Sequence, residues 1–175
     1  MSLTLTKTVP TAMVVVLLAL SAAAADSPGL ITTQKLSAAL ANELVGQAVA
    51  ACAQKNIAVV AVVVDLDGVR QAVLRGDGAP IHSVDNAYYK AYSAASLTLS
   101  RKEESTKQVA DRIAKNPPSN VPQTPLPNVT YSQGGITLMS GGKPIGALGV
   151  SGAPGGNIDE ECGRTALDKI RDRMK

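Results

Sequence analysis

An unbroken run of eight apolar residues, Ile57 to Val64, constrains the fold of this chain more than any other segment. The run contains only Ile, Val and Ala, and β-branched side chains favour extended structure. A continuous apolar run of this length, rather than an alternating one, is typical of a strand covered on both sides. The sequence therefore predicts a strand here that is buried on both faces of its sheet.

Amphipathic helices are predicted as the first and the last elements of the domain along the sequence. The first is expected to be capped by Thr32 or Thr33, and its apolar residues recur at every fourth position as far as Cys52. The last is expected to begin at an Asn157 N-cap, and its apolar stripe includes Cys162. Each helix has one apolar face with which to cover a sheet.

The intervening segments contain strands and two further helices. A turn at 65–68 leads into a second strand over 69–75, and a helix is predicted over 83–99. A capping box that starts at Ser100 predicts another helix, which continues towards residue 115. Residues 135–151 have the pattern of a hairpin with a glycine turn.

This order of elements is helix, two strands, two helices, two or more strands, helix. It predicts a single α+β domain, with an antiparallel sheet of about five strands. The N- and C-terminal helices are expected on one face of the sheet, and the two middle helices complete the domain.

Residues 1–25 have the pattern of a secretory signal peptide. Lys7 supplies a positive charge, residues 12–20 form a short apolar core, and residues 21–25 are small. The core is shorter than the ~20 residues that span a bilayer. An uncleaved anchor is the alternative. We expect cleavage, a mature domain over residues 26–175, and a periplasmic or secreted protein without stable membrane insertion.

The two cysteines, Cys52 and Cys162, lie on the apolar stripes of the first and last helices. An exported protein can keep a disulfide between them, which would close a loop of about 110 residues. The alternative is a pair of buried thiols, since free Cys behaves as a small apolar residue. Both interpretations remain open from the sequence.

Composition argues against nucleic-acid binding. The net charge is only +3, and the basic residues form no stripe along the chain. There is no Trp and no Phe, so the aromatic platforms on which single-stranded bases stack are also missing.

Three stretches in order resemble the GlcG/HbpS-type haem-binding proteins, also called the haem-degrading domain family. They are a strand with an Asp-x-x-Gly turn at 62–68, a Gly-Ala-Pro turn at 78–80 with Ser83 and an Ala-x-x-Lys-Ala-x-Ser-Ala helix pattern at 87–94, and a glycine-rich segment at 134–152 that is followed by Asp159-Glu160. The resemblance implies a profilin-like domain that forms homo-oligomers, often octamers. It also implies haem binding and, in some members, haem degradation or haem and redox sensing. A corrinoid is a less favoured variant of the ligand.

His82, the only histidine, is the candidate axial ligand of the haem iron. It precedes the helix over 83–99, where a neutral imidazole can donate a nitrogen lone pair to iron. The alternative is a surface histidine at the start of a helix. The resemblance adds Ser93, because iron ligands vary within the family and either the hydroxyl at this Ser/Thr position or a nearby His has served.

The same helix supplies the other candidate haem-binding residues. Tyr88 and Tyr92 lie one turn apart on one face, and Tyr89 lies on the adjacent face together with Ser93. A phenolate can bind ferric haem, whereas the alternative is tyrosines packed in the core or an interface. Lys90 can pair with a haem propionate, or instead with water or a carboxylate of a neighbouring subunit.

Two other functions remain as alternatives. One is a small-molecule enzyme of glycolate-type metabolism, suggested by the association of the GlcG name with glycolate genes. The chain has no nucleophile elbow, zinc-protease motif or phosphate loop, and we assign no catalytic residue. The other is an oligomeric interaction or sensor module without a ligand, which would use the alanine-rich face of the 83–99 helix.

Overall fold

A computed structural model describes residues 29–115 and 124–175, and the predicted signal peptide over 1–25 lies outside them. The elements of the domain are α1 (Ala38–Ala53), β1 (Val60–Val64), β2 (Arg70–Arg75), α2 (Ser83–Ser96), α3 (Thr106–Lys115), β3 (Gly135–Ser140), β4 (Lys143–Ser151) and α4 (Gly156–Ile170). Short 3₁₀ turns follow α2 at Leu99–Arg101 and α4 at Arg171–Met174. All strand pairs are antiparallel, in the order β2-β1-β4-β3.

The strand β1 is buried at every position, which confirms the interpretation of the apolar run. Val60, Val62 and Val64 pack in a cluster with the alanines of α2. Ala61 and Val63 pack on the opposite side, in the larger cluster that contains the apolar residues of α1 and α4. The terminal helices therefore cover one face, as predicted, and α2 covers the other.

The sheet has four strands within the described residues, so the expectation of about five is wrong. The outer edge of β3 is covered by the residues just before α3, which make only a local contact. Ser105 forms an isolated bridge with Ile136, and the Thr137 N–H donates to the Glu104 carbonyl. Since α3 begins at the next residue, this segment does not extend into a fifth strand.

Several predicted helix starts are also wrong. The helix α1 is capped by Ser37, whose hydroxyl accepts from the Leu40 N–H at 3.2 Å, rather than by Thr32 or Thr33. The helix α3 begins at Thr106 rather than at Ser100, because Lys102 adopts a left-handed conformation (φ 55°) that a continuous helix cannot contain. The N-cap of α4 is Gly155, two residues before the predicted Asn157.

Helix α2 lies with its backbone directly against the sheet. A Cβ atom at Gly149 would stand 2.0 Å from the Ala87 carbonyl oxygen, and one at Gly135 would stand 2.3 Å from the Lys90 carbonyl oxygen. Both distances are far below a van der Waals contact, so neither position accommodates a side chain. The absence of side chains at these two positions permits the close approach of α2.

We expect Gly149→Ala to destabilise the domain by ~1–3 kcal/mol or more, because the added methyl group would overlap the backbone of α2. The matched control is Gly46→Ala in α1, where a Cβ meets no atom within 4 Å. That substitution should stabilise by about 0.5–1 kcal/mol through helix propensity. Urea unfolding of both variants tests the difference, and equal stabilities would contradict the close packing of α2.

A disulfide joins Cys52 in α1 to Cys162 in α4, with the Cα atoms 5.4 Å apart. It resolves the alternative left open by the sequence in favour of the bridge. Both residues are fully buried in the cluster between the helices and the sheet, and the bridge links positions 110 residues apart. It therefore ties the two covering helices together beneath the sheet.

Reduction of this disulfide should lower the free energy of unfolding by ~4–5 kcal/mol, because the closed loop restricts the unfolded chain. The measurement is urea unfolding with and without a reductant. A Cys52→Ala/Cys162→Ala variant serves as the control, since its stability should not respond to the reductant. A wild-type protein equally insensitive to reductant would argue against the bridge.

Candidate functional site

An open cavity of about 410 Å³ lies where α2 and α4 begin. We call it the helix-start cavity. Its walls come from the first two turns of α2, from residues 132–133 before β3, and from the segment 151–156 between β4 and α4. The glycine-rich turn and the start of α2, which are distant in sequence, therefore form one site.

A buried ion pair lies beside this cavity. The Lys90 Nζ donates to Asp159 Oδ2 at 2.7 Å and to the Val150 carbonyl oxygen at 3.1 Å. Each of the two side chains is only 3% exposed. The other carboxylate oxygen, Asp159 Oδ1, accepts from the Ala153 N–H at 3.0 Å. The pair thus connects α2, β4, the glycine-rich turn and α4.

Gly134 leaves the space that this ion pair needs. Its φ of +122° is a conformation that side chains rarely adopt, and a Cβ there would lie 2.9 Å from the Lys90 Nζ. The same atom would lie 3.0 Å from the Asp159 Cβ. A side chain at position 134 would therefore crowd both members of the pair, and its Cβ would lie 2.8 Å from the Val150 carbonyl oxygen that accepts from Lys90.

His82 lies exposed at the N-cap position of α2 and lines the helix-start cavity. Its side chain does not cap the helix. Nearby, the Asn86 side-chain amide donates to the Ser151 hydroxyl at 2.8 Å, which joins α2 to the end of β4. The exposed imidazole thus stands at the cavity wall, and no hydrogen bond to it is found within residues 29–115 and 124–175.

Ser83 was not predicted as a site residue, and its environment is unusual. It is fully buried, it lines the helix-start cavity, and its hydroxyl has no hydrogen-bond partner among the described residues. A buried polar group without a partner costs about 1–3 kcal/mol. The sequence offers no signal for this feature, because it depends on which atoms surround the hydroxyl.

The three tyrosines of α2 gather away from the cavity. The Tyr88 ring centroid lies 6.0 Å from those of both Tyr89 and Tyr92, and all three side chains are half-buried. The Arg70 guanidinium lies 3.5 Å from the centroid of the Tyr88 ring, and the Tyr88 hydroxyl donates to the Gly68 carbonyl at 3.2 Å. None of the three tyrosines lines the helix-start cavity.

Ser93 occupies a third environment. Its side chain is fully buried, and its hydroxyl accepts from the Thr130 N–H at 2.8 Å.

The structure therefore brings His82 and Lys90 to one cavity, gathers the tyrosines near the β1–β2 turn, and places Ser93 against residue 130. The partner of Lys90, Asp159, was not predicted, although it falls in a segment that contributes to the family resemblance.

Comparison with known families identifies the chain. The sequence profile described as haem-degrading protein HbpS-like matches residues 36–168, which is most of the chain. The chain belongs to the HbpS-like family. No curated protein sequence matches it significantly. The expected α+β architecture, an antiparallel sheet with helices, matches the fold of solved HbpS and DUF336 structures.

Solved structures agree with this assignment. A double mutant of HbpS from Streptomyces reticuli is 30% identical, with a TM-score of 0.71 over 84% of this chain and 94% of that one. Klebsiella pneumoniae ORFY, a DUF336 protein, is 26% identical, with a TM-score of 0.71 over 82% and 95% of the two chains. A haem complex of PduOC is 26% identical, with a TM-score of 0.68 over 78% and 95%.

The buried ion pair generates a stability prediction. We expect Lys90→Met to cost ~3–5 kcal/mol, because it leaves the Asp159 carboxylate buried without its counter-charge. Adding Asp159→Asn should recover most of this loss, since the neutral amide can be buried more easily. The readout is the free energy of unfolding in urea.

The matched control for this prediction is Lys55→Met. The Lys55–Glu161 ion pair is as short, at 2.8 Å, but both side chains are exposed. Its loss should cost less than ~1 kcal/mol. A Lys90→Met variant no less stable than Lys55→Met would show that the buried pair does not hold α2 and α4 together.

Proposed function

We propose that the protein binds haem at the helix-start cavity, with His82 as the axial ligand of the iron. The observation that carries this proposal is an exposed imidazole at a cavity in a member of the HbpS-like family. The solved structure of a relative, PduOC, is a complex with haem, which supports the choice of ligand. Imidazole is a common protein ligand of haem iron.

The residues around His82 meet only some of the other requirements of haem, because most of the side chains that line the cavity are polar. Ile81, next in sequence, is 77% exposed, and Ala153 and Pro154 contribute apolar atoms to the cavity wall. The cavity volume falls in the ~300–1,000 Å³ range of ligand sites. Bound haem would supply the redox chemistry of its iron, whereas the residues of this chain would bind and orient it. A corrinoid is the less favoured ligand.

We extend the proposal to an exported protein. The Cys52–Cys162 disulfide supports this, because structural disulfides persist mainly in oxidising compartments such as the periplasm. Among residues 29–115 and 124–175, no helix has the length and apolar character needed to cross a bilayer. The pattern of residues 1–25 supplies the export signal in this proposal.

We also propose self-association, as the family resemblance implies, with an octamer as the expected state. The edge strand β2 and the turn before it leave Val69, Val73 and Leu74 between 40% and 59% exposed. Apolar side chains on an unpaired edge are candidates for burial between subunits. Multi-angle light scattering on the mature protein measures the oligomeric state, and a monomer would overturn this part of the proposal.

Haemin titration tests the proposed ligand. We expect wild-type protein to shift the Soret band at micromolar haemin and His82→Gly to lose that shift. Glycine is tolerated at an N-cap, so the variant should fold. Added free imidazole should restore the band by occupying the vacated position, which a merely structural role of His82 would not allow.

The control variants for this titration are Tyr88→Phe and Tyr92→Phe, which should bind haemin as the wild type does. A Soret shift that survives in His82→Gly and disappears in a tyrosine variant would overturn the assignment of His82. No shift in the wild type would overturn haem binding itself. A parallel titration with hydroxocobalamin tests the corrinoid variant, and a reductant added to the haem complex shows whether the bound haem is degraded.

A further inference from the structure

We propose that the helix-start cavity is a carboxylate-binding site, built by the uncapped N-terminus of α4 and the buried hydroxyl of Ser83. The carboxylate can come from a small free organic acid or from a haem propionate. Only the second source rests on the proposed haem binding.

The N-terminus of α4 is open towards the cavity. Its N-cap residue, Gly155, has no side chain, and both Gly155 and Gly156 line the cavity. The first N–H groups of a helix have no partners within the helix, and they carry the positive end of its dipole. Among the described residues no side chain caps them, so an anion in the cavity would take the place of a cap.

Ser83 is the independent observation that points to a ligand. Its side chain is fully buried, it lines the same cavity, and its hydroxyl has no partner among the described residues. Buried hydroxyl groups in proteins are nearly always hydrogen-bonded to protein or water. A carboxylate oxygen in the cavity would supply the missing acceptor.

The charges around the cavity favour a monoanion. The Lys90 ammonium is already balanced by Asp159, so this pair adds no net charge. The N-terminus of α4 carries about half a positive charge. In α2 the N–H groups of Ser83 and Val84 already donate to the Pro80 and Ile81 carbonyls, and Asp85 lies in the first turn. The partial charge of α4 therefore suits a ligand with one negative charge rather than two.

The cavity also disfavours phosphate and sulfate. No arginine is among the residues that line it, whereas bidentate arginine contacts are typical of phosphate recognition. The remaining polar groups at the wall include Asn86, Ser132 and Gln133. These neutral side chains can orient the rest of a small organic acid without adding charge.

Sodium propionate is the probe, since its anion is a small organic carboxylate and has the structure of the carboxylate side chains of haem. We expect saturable binding to the mature protein, with NMR shift changes at the backbone amides of Gly155, Gly156 and Asn157. Propionamide, which has the same shape without the charge, should give no such changes. Inorganic phosphate at equal ionic strength should bind more weakly than propionate.

Ser83→Ala should weaken propionate binding roughly tenfold, the loss expected for one hydrogen bond to a charged acceptor. This variant should keep its fold, because the hydroxyl has no protein partner to lose. The matched control is Ser96→Ala at the other end of α2, where the serine is exposed. It should bind propionate as the wild type does.

Haemin dimethyl ester separates the two sources of the carboxylate. If a haem propionate occupies the site, the ester should bind more weakly than haemin, and free propionate should compete with haemin. If the natural ligand is a free acid, haemin and its ester should bind equally well while propionate still binds. Both results support a carboxylate site.

Other results would overturn the inference. They are the absence of any propionate-dependent shift at residues 155–157, equal binding by Ser83→Ala and wild type, or tighter binding of phosphate. Propionate binding without any haemin binding would overturn the proposed function and leave this inference intact. Haemin binding without propionate binding would do the reverse.

Discussion

The direct contact between the backbone of α2 and the sheet is the constraint on which the rest of this structure depends. It exists because Gly135 and Gly149 place no side chain between the helix and the strands. The small residues of α2, Ala87 and Ala91, complete the contact and are fully buried. A helix at ordinary distance from the sheet would carry Lys90 further from the end of β4 and would lose the geometry of the buried ion pair.

The ion pair holds together the two helices that form the site. Because Lys90 meets Asp159 in the first turn of α4, the N-termini of α2 and α4 are held at one cavity. The disulfide on the opposite face connects α4 to α1, so α4 is restrained from both sides of the sheet. Restraint of this kind reduces the ordering cost of binding a ligand. A preorganised, polar cavity with a single imidazole at its edge is a setting in which one flat or one small anionic ligand can be oriented.

Local patterns predicted the elements well and their ends poorly. The apolar run of β1 and the four-residue spacing in α1 and α4 were interpreted correctly, because burial imposes these periods on any strand or helix. The predicted caps of α1, α3 and α4 were wrong, since several neighbouring Ser, Thr, Asn and Gly residues can each end a helix. Which of them does so depends on where the helix meets the sheet. The prediction of a fifth strand was wrong for a similar reason, because residues 104–105 contact β3 but lead at once into α3.

The sequence by itself determined that this chain forms an α+β domain of the HbpS-like family, since periodicity and motif order are properties of contiguous residues. It also singled out His82 as the candidate ligand, because no other histidine exists. Only the tertiary structure decided that Lys90 is neutralised by Asp159, 69 positions away, and that the buried Ser83 hydroxyl has no partner in the described part of the chain. Charge balance and hydrogen-bond satisfaction depend on distances between segments that are remote in sequence, so they are set when the helices pack on the sheet.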